Sequence, residues 1–466
     1  MALTSLLRLD ICGRSRPWVF SKTAGVYVVL GWKHADTFCD SFDLVLYSNS
    51  RAMVTNVALL ALGAVCAWAQ TSDPASETNE PNKYTATDAA AVSAAQATAP
   101  TYSGTPQSQY KQGKVFDRFV EIWLENTDYD KAAGDSNLAY LASKGITLTN
   151  YFAVTHPSEP NYVASIGGDN FGMDNDNFIQ IADNTSTVVD LLEDKGISWG
   201  TYQEDMPFSG FEGKAWVNQK TKANDYVRKH NPPVIYNANT SQRRLSYQKN
   251  ITQFYVDLNN QRLPQWSFIT PNMSSDGHDT SVTTAGTWSR NFLDPLLSND
   301  YFNSRTLVLL TFDENHTYNT GNRVFSILLG GAVPGSLQGT KDTQFYDHYS
   351  DIATVEANWD LHTLGRWDVG ANVFKLVAET TGDTYTPWDA VTGDNPSVFL
   401  NGSFSGPFSS QKNAYPVPNT SAKSPSTGRT VLPSIVDKYS SQQSSKNMYY
   451  NNGVMVPDGQ HPPQGY

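Results

Sequence analysis

Between residues 114 and 419 the chain alternates short, apolar, β-rich runs with stretches whose apolar residues recur at helical spacing. The runs at 116–124 (FDRFVEIWL) and 305–312 (RTLVLLTF) predict strands. The second is almost continuously apolar, as a strand buried on both faces must be. Residues 266–270 and 324–329 predict further strands, and helices are expected at 136–143, 187–195 and 351–359. The helix at 187–195 has Asn184 or Ser186 before it as a cap and Gly196 after it as a stop. Strands alternating with helices predict an α/β fold: a three-layer sandwich with a central, mostly parallel sheet covered by helices on both faces.

The two ends have a different pattern. Residues 70–113 are rich in Ala, Thr, Ser, Gln and Pro, with few large aliphatic side chains, and predict a flexible leader. The tail at 420–466 is similarly polar and predicts a surface extension. Upstream, residues 53–69 read MVTNVALLALGAVCAWA, an apolar run ending in Ala67-Trp68-Ala69, the pattern of a secretory signal with its cleavage site. The run is shorter than the roughly 20 apolar residues of a spanning helix. Its internal position makes residues 1–52 an expected upstream extension of the gene, and residues 114–419 the expected catalytic domain. Cys12, Cys39 and Cys66 all precede the cleavage pattern, so a chain starting at Gln70 has no cysteine and no disulfide framework.

The formal charge of the 466 residues is −12, and no basic stripe interrupts it. A field of that sign repels polyphosphate backbones, which argues against a nucleic-acid partner. Asn-x-Ser/Thr sequons at Asn184, Asn239, Asn250, Asn272, Asn315, Asn401 and Asn419 add to the expectation of a secreted eukaryotic glycoprotein, extracellular or in the cell wall, with no stable membrane association.

Candidate chemistry lies where the strands end. The first runs into Glu125-Asn126-Thr127-Asp128, and the strand at 305–312 runs into Asp313-Glu314-Asn315-His316. In parallel α/β sheets the carboxyl ends of strands line the ligand crevice, and carboxylate and amide oxygens suit a hard divalent cation. Ordinary loop polarity accounts for either cluster taken alone. Ser158, in His156-Pro157-Ser158-Glu159-Pro160-Asn161-Tyr162, precedes a short helical stretch, where a hydroxyl sits among free N–H groups that attract an anion; an ordinary helix cap reads the same. His278 is a candidate proton donor that Asp276 or Asp279 would orient, or a surface residue on an Asp-Gly turn. His348, before the helix at 351–359, is a weaker candidate of the same kind.

ENTD at 125–128, HPSEPNY at 156–162, PNMSSDGHD at 271–279 and FDEN at 312–315, in that order over residues 115–378, resemble the phosphoesterase family of fungal secreted acid phosphatases and bacterial phosphatidylcholine-type phospholipases C. The resemblance implies an alkaline-phosphatase-like fold and one divalent metal ion, of unassigned identity, held by Glu125, Asn126, Asp313 and Glu314. It also implies Ser158 as nucleophile, His278 and His348 on the phosphoryl group, and Asn126, His156, Asp276 and Asp279 on the substrate side. Thr127-Asp128 and His316-Thr317-Tyr318 depart from the phospholipase branch and favour small phosphate monoesters as substrates. A phosphodiesterase on the same fold, and a non-catalytic cell-wall or surface binding protein, are the alternatives.

Overall fold

The computed structural model describes residues 3–11, 27–33, 40–48, 89–387, 407–408, 415–444 and 450. The signal-like run at 53–69 lies outside them. Two compact units divide the chain, at 1–76 and 77–466. In the first, Leu3–Ile11, Tyr27–Lys33 and Asp40–Ser48 form an antiparallel sheet with Asp40–Ser48 in the middle.

The second unit is built on eight strands: β1 (Arg118–Leu124), β2 (Ile146–Leu148), β3 (Trp199–Gln203), β4 (Gln248–Asn250), β5 (Trp266–Thr270), β6 (Thr306–Phe312), β7 (Ser326–Leu329) and β8 (Thr340–Asp342). Their order is β4-β3-β5-β1-β6-β7-β2-β8, and within this sheet β7 alone runs against the others. Every residue of β1, β3, β5 and β6 is buried, so both faces of the sheet centre are covered. The fold is α/β, with the mostly parallel sheet expected from the sequence. The helices of this unit include α1 (Ser136–Ala142), α2 (Ser158–Gly167), α3 (Val188–Lys195), α4 (Val282–Leu297) and α5 (His348–Trp359).

Helices α1, α3 and α5 were expected. At α3 the residue before the first turn is Thr187 rather than Asn184 or Ser186, and the Asp190 carboxylate accepts from its N–H at 2.8 Å. Helix α4 was not expected: it opens on three β-branched residues, Val282-Thr283-Thr284, and its last turn holds Pro295, all poor helix formers. Tertiary packing overrides that weakness, burying Ala285, Ser289, Phe292, Leu293 and Leu296 along one stripe. It also packs against α1 through Gly286, where a Cβ would stand 2.2 Å from Asp135 Oδ1.

The expected leader departs from the structure over its second half. Ala89–Gln96 is a helix whose Val92 joins a buried cluster with Met206, Phe208, Phe211 and Tyr226. Farther along, the Tyr102 N–H donates to the Ser246 carbonyl and Gln265 binds both backbone groups of Lys111. The start of the tail is likewise part of the folded unit: Val431 bridges to Thr363, Ile435 is in the core and the Tyr450 hydroxyl donates to Asp169. Low hydrophobicity misleads at both ends, because a few aromatic and β-branched anchors are enough when a large domain supplies the surface they bind.

Candidate active site

The sheet register brings the two acidic clusters together. β1 and β6 are parallel neighbours with Leu124 opposite Phe312, so Glu125 and Asp313 leave the same edge side by side. β5 ends at that edge too, and the Thr270 hydroxyl donates to the His230 carbonyl at 2.9 Å, fixing a short turn at Arg228–His230 over the strand ends.

Glu125 is at the centre and fully buried. Its Oε1 accepts from the Tyr162 hydroxyl at 2.7 Å, and its Oε2 accepts from the Ser158 hydroxyl at 3.2 Å. The His230 Nε2 lies 3.1 Å from the same Oε1, and its ring stacks on Tyr162 with centroids 4.8 Å apart. Asp276 is buried on the other side of His230, with Oδ2 3.8 Å from Nδ1. Asp313 and Glu314 are also fully buried. Glu314 accepts from the Asn126 amide at 2.5 Å and pairs with His156 Nδ1 at 2.5 Å. The structure therefore unites Glu125, Asn126, His156, Ser158, Asp276, Asp313 and Glu314.

Burial dominates the electrostatics. It pushes the Glu125 carboxyl up to about 7, raises Glu314 and raises Asp276 and Asp313 well above the ordinary range, because each additional charge is desolvated beside others of its sign. Acids packed this closely are ones whose charge a bound cation would offset. The polar atoms agree: both oxygens of Asp313, Asn126 Oδ1, Asp276 Oδ2 and His230 Nε2 are buried without a hydrogen-bond partner of good geometry. This donor set fits a divalent cation. Among the described residues, Glu125, His230 and Asp276 bring ligand atoms within 4.8 Å of one another, a group that shares only Glu125 with the four residues expected from the sequence.

Ser158 opens α2 and is buried. Asn161 holds the segment before it, its Oδ1 accepting from the Val154 and Thr155 N–H groups and its amide donating to the Thr155 and Pro157 carbonyls. The helix end offers fewer donors than its sequence suggested. The Glu159 N–H donates to Asp176 Oδ1 at 2.9 Å, and Pro160 has no N–H.

The structure departs from the remaining expectations. His348 is not on the open side of the site: it is fully buried, its Nε2 donates to the Asp313 carbonyl at 2.6 Å, and its Nδ1 lies 3.1 Å from the Tyr151 hydroxyl. Its ring packs on Trp123 at 4.2 Å. With both nitrogens engaged by protein, it holds Asp313 from beneath. His278 and Asp279 are exposed at the rim and paired at 2.8 Å, with the His278 ring 6.5 Å from that of His230. Asp276 orients His278 only through its backbone N–H, which it accepts at 2.8 Å. Asp128 ties the two acidic loops together, its Oδ1 accepting from the His316 and Thr317 N–H groups and its Oδ2 from the Thr317 hydroxyl. The His316 side chain is exposed. Asn315 is buried, and its amide donates to the Thr317 and Gly321 carbonyls and the Thr320 hydroxyl.

His230 and Lys229 were not anticipated. Their sequence signal is slight: a basic triplet, Arg228-Lys229-His230, run directly into Asn231-Pro232-Pro233, where the prolines fix a turn that a surface basic patch would not need.

The phosphoesterase family model matches residues 46–362, more than half of the chain. The chain belongs to the phosphoesterase family. Among its curated relatives, an acid phosphatase of Aspergillus fumigatus is 52% identical over 341 residues, covering 72% of this chain and 75% of the relative. A phosphate-repressible acid phosphatase of Penicillium chrysogenum is 54% identical over 337 residues, covering 72% and 79%. A phosphatidylinositol-3-phosphatase of Mycobacterium tuberculosis is more distant, 27% identical over 255 residues, covering 54% and 79%. Of the solved structures, the phosphonate monoester hydrolase of Agrobacterium radiobacter aligns at a TM-score of 0.37 and 12% identity, covering 58% of this phosphoesterase and 78% of that chain.

Proposed function

We propose that this phosphoesterase is an acid phosphatase, a phosphoric monoester hydrolase that works through a phosphoserine on Ser158 with the help of a bound divalent cation. The observation that carries the reading is the buried Ser158 hydroxyl, 3.2 Å from Glu125 Oε2, among acids that include Asp313, neither of whose oxygens has a hydrogen bond of good geometry. Relatives named acid phosphatase, more than 50% identical over most of both chains, support the reaction class.

Glu125, Asn126, Asp313 and Glu314, with His230 and Asp276 adjoining, are the residues that would hold the cation. When bound, it lowers the pKa of the serine hydroxyl and offsets charge on the phosphoryl oxygens. Ser158 Oγ attacks phosphorus and passes its proton to Glu125 Oε2, which already accepts from that hydroxyl, as the P–O bond to the alcohol breaks. The departing alkoxide takes the bonding pair and a proton, for which His278, paired to Asp279 at the rim, is the assigned donor. Water then attacks the phosphoserine, releasing inorganic phosphate and restoring the hydroxyl. Two in-line displacements give net retention at phosphorus. Tyr162 and Asn161 hold Glu125 and the serine loop in position.

Among the described residues no helix is long and apolar enough to cross a membrane. Export is supported by the signal-like run at 53–69 and is tested by sequencing the mature N-terminus, expected at Gln70.

The direct test is hydrolysis of a chromogenic phosphomonoester by the purified chain, with and without chelation, beside Ser158→Ala. The variant should lose more than about 10³-fold in turnover. Acid quenching of the wild type should trap a phosphate on the Ser158 peptide. A fully active Ser158→Ala protein would sink the nucleophile assignment.

A further inference from the structure

The acidic ring poses a problem for its own substrate: a negatively charged phosphate monoester must approach Ser158 beside Glu125, Asp276, Asp313 and Glu314. The start of α2 gives limited relief, since the Glu159 N–H is held by Asp176 and residue 160 is a proline. Arg228 is close in sequence but points elsewhere, its guanidinium donating to the Ile179 and Val234 carbonyls.

Lys229 is placed differently. Its ammonium lies 2.7 Å from Asp176 Oδ2, and that carboxylate's Oδ1 is bound to the first turn of α2. The chain of contacts Lys229–Asp176–Glu159 therefore ties the cation to the residue next to Ser158. The side chain is 20% exposed. An ammonium has three donors, and one of them meets Asp176. Lys229 directly precedes His230, whose Nε2 lies 3.1 Å from Glu125 Oε1.

We infer that Lys229, held by Asp176, is the side-chain cation that binds the phosphoryl group of the substrate and makes the site select monoesters over diesters. The inference rests on the monoesterase reading. Above its second pKa of about 6 a monoester is a dianion while a diester stays a monoanion, so a fixed ammonium beside the phosphoryl oxygens favours the former, and the comparison is made above that pH. Asp176 acts as a positioning residue, keeping the flexible lysine stem from folding back onto Glu125.

The test compares wild type, Lys229→Met and Lys229→Arg on para-nitrophenyl phosphate and on bis(para-nitrophenyl) phosphate, with inorganic phosphate as competitive inhibitor. Lys229→Met should lower kcat/KM on the monoester by about 10- to 100-fold, the range carried by a hydrogen bond to a charged group. KM and the phosphate inhibition constant should rise together, diester cleavage should change less, and Lys229→Arg should recover part of the loss. Equal losses on both esters, or an unchanged phosphate inhibition constant in a folded Lys229→Met protein, would overturn the proposal. If Lys229→Met does not fold, inorganic phosphate should still slow reductive methylation of Lys229 in the wild type, read by peptide mass spectrometry. Labelling that is the same with and without phosphate would also overturn it. A wild type inactive on the monoester would instead remove the monoesterase reading.

Discussion

Two histidines of this molecule are both fully buried and held below ordinary histidine basicity by that burial, yet their surroundings differ. His348, at the start of α5, has a protein partner for each ring nitrogen and an aromatic neighbour against its face. His230, in the turn over β5, has an Nε2 with no well-formed hydrogen bond, 3.1 Å from a carboxylate that also meets Ser158 and Tyr162. Depth of burial does not separate them; completeness of pairing does. Native interiors rarely leave polar atoms unpaired, so where several face one another a ligand is the expected partner.

If that contrast is right, the two histidines should fail in different ways. The larger effect on turnover is expected for His230→Ala, which should lower kcat/KM by about 10²-fold or more with little change in thermal unfolding. His348→Ala should cost less activity, about 10-fold, because it acts on Asp313 from behind, and should melt measurably earlier because it leaves the Tyr151 hydroxyl and the Asp313 carbonyl buried without it. Equal melting and equal activity loss in the two variants would erase the distinction.

A smaller effect comes from the layer beneath the site. Burial pushes Glu121 up to about 8 and Asp347 to about 7, so the folded protein keeps protons there that the unfolded chain releases above its ordinary carboxyl range. Between those limits the unfolded state binds fewer protons, and stability falls as pH rises. The melting temperature should therefore be higher at about pH 5 than at about pH 8. A curve rising with pH would show that these acids ionise in the fold without penalty.

Much of the frame could be read in the sequence because it depends on local pattern. RTLVLLTF is apolar enough to be a central strand in almost any context, and polar clusters after two such strands point to one edge. That a helix begins at Ser158 was legible for the same reason. What could not be read depends on distant contacts. β3 and β4 hold too many polar residues to announce themselves as strands, and they form because β5 is beside β3. His230 reaches Glu125 only because Thr270, forty residues on, holds its carbonyl. His348 was misplaced because a histidine before a helix looks the same in sequence whether it faces the crevice or the floor.

The buried amide of Asn315 bears on how the molecule is made. Sugar is attached to a sequon through its amide nitrogen, and in the finished fold the Asn315 amide is locked into three hydrogen bonds within its own loop. In a chain exported through a glycosylating route, sugar transfer and loop closure would compete at this residue, because a sugar on that nitrogen would displace the hydrogen bonds that seat Asn315.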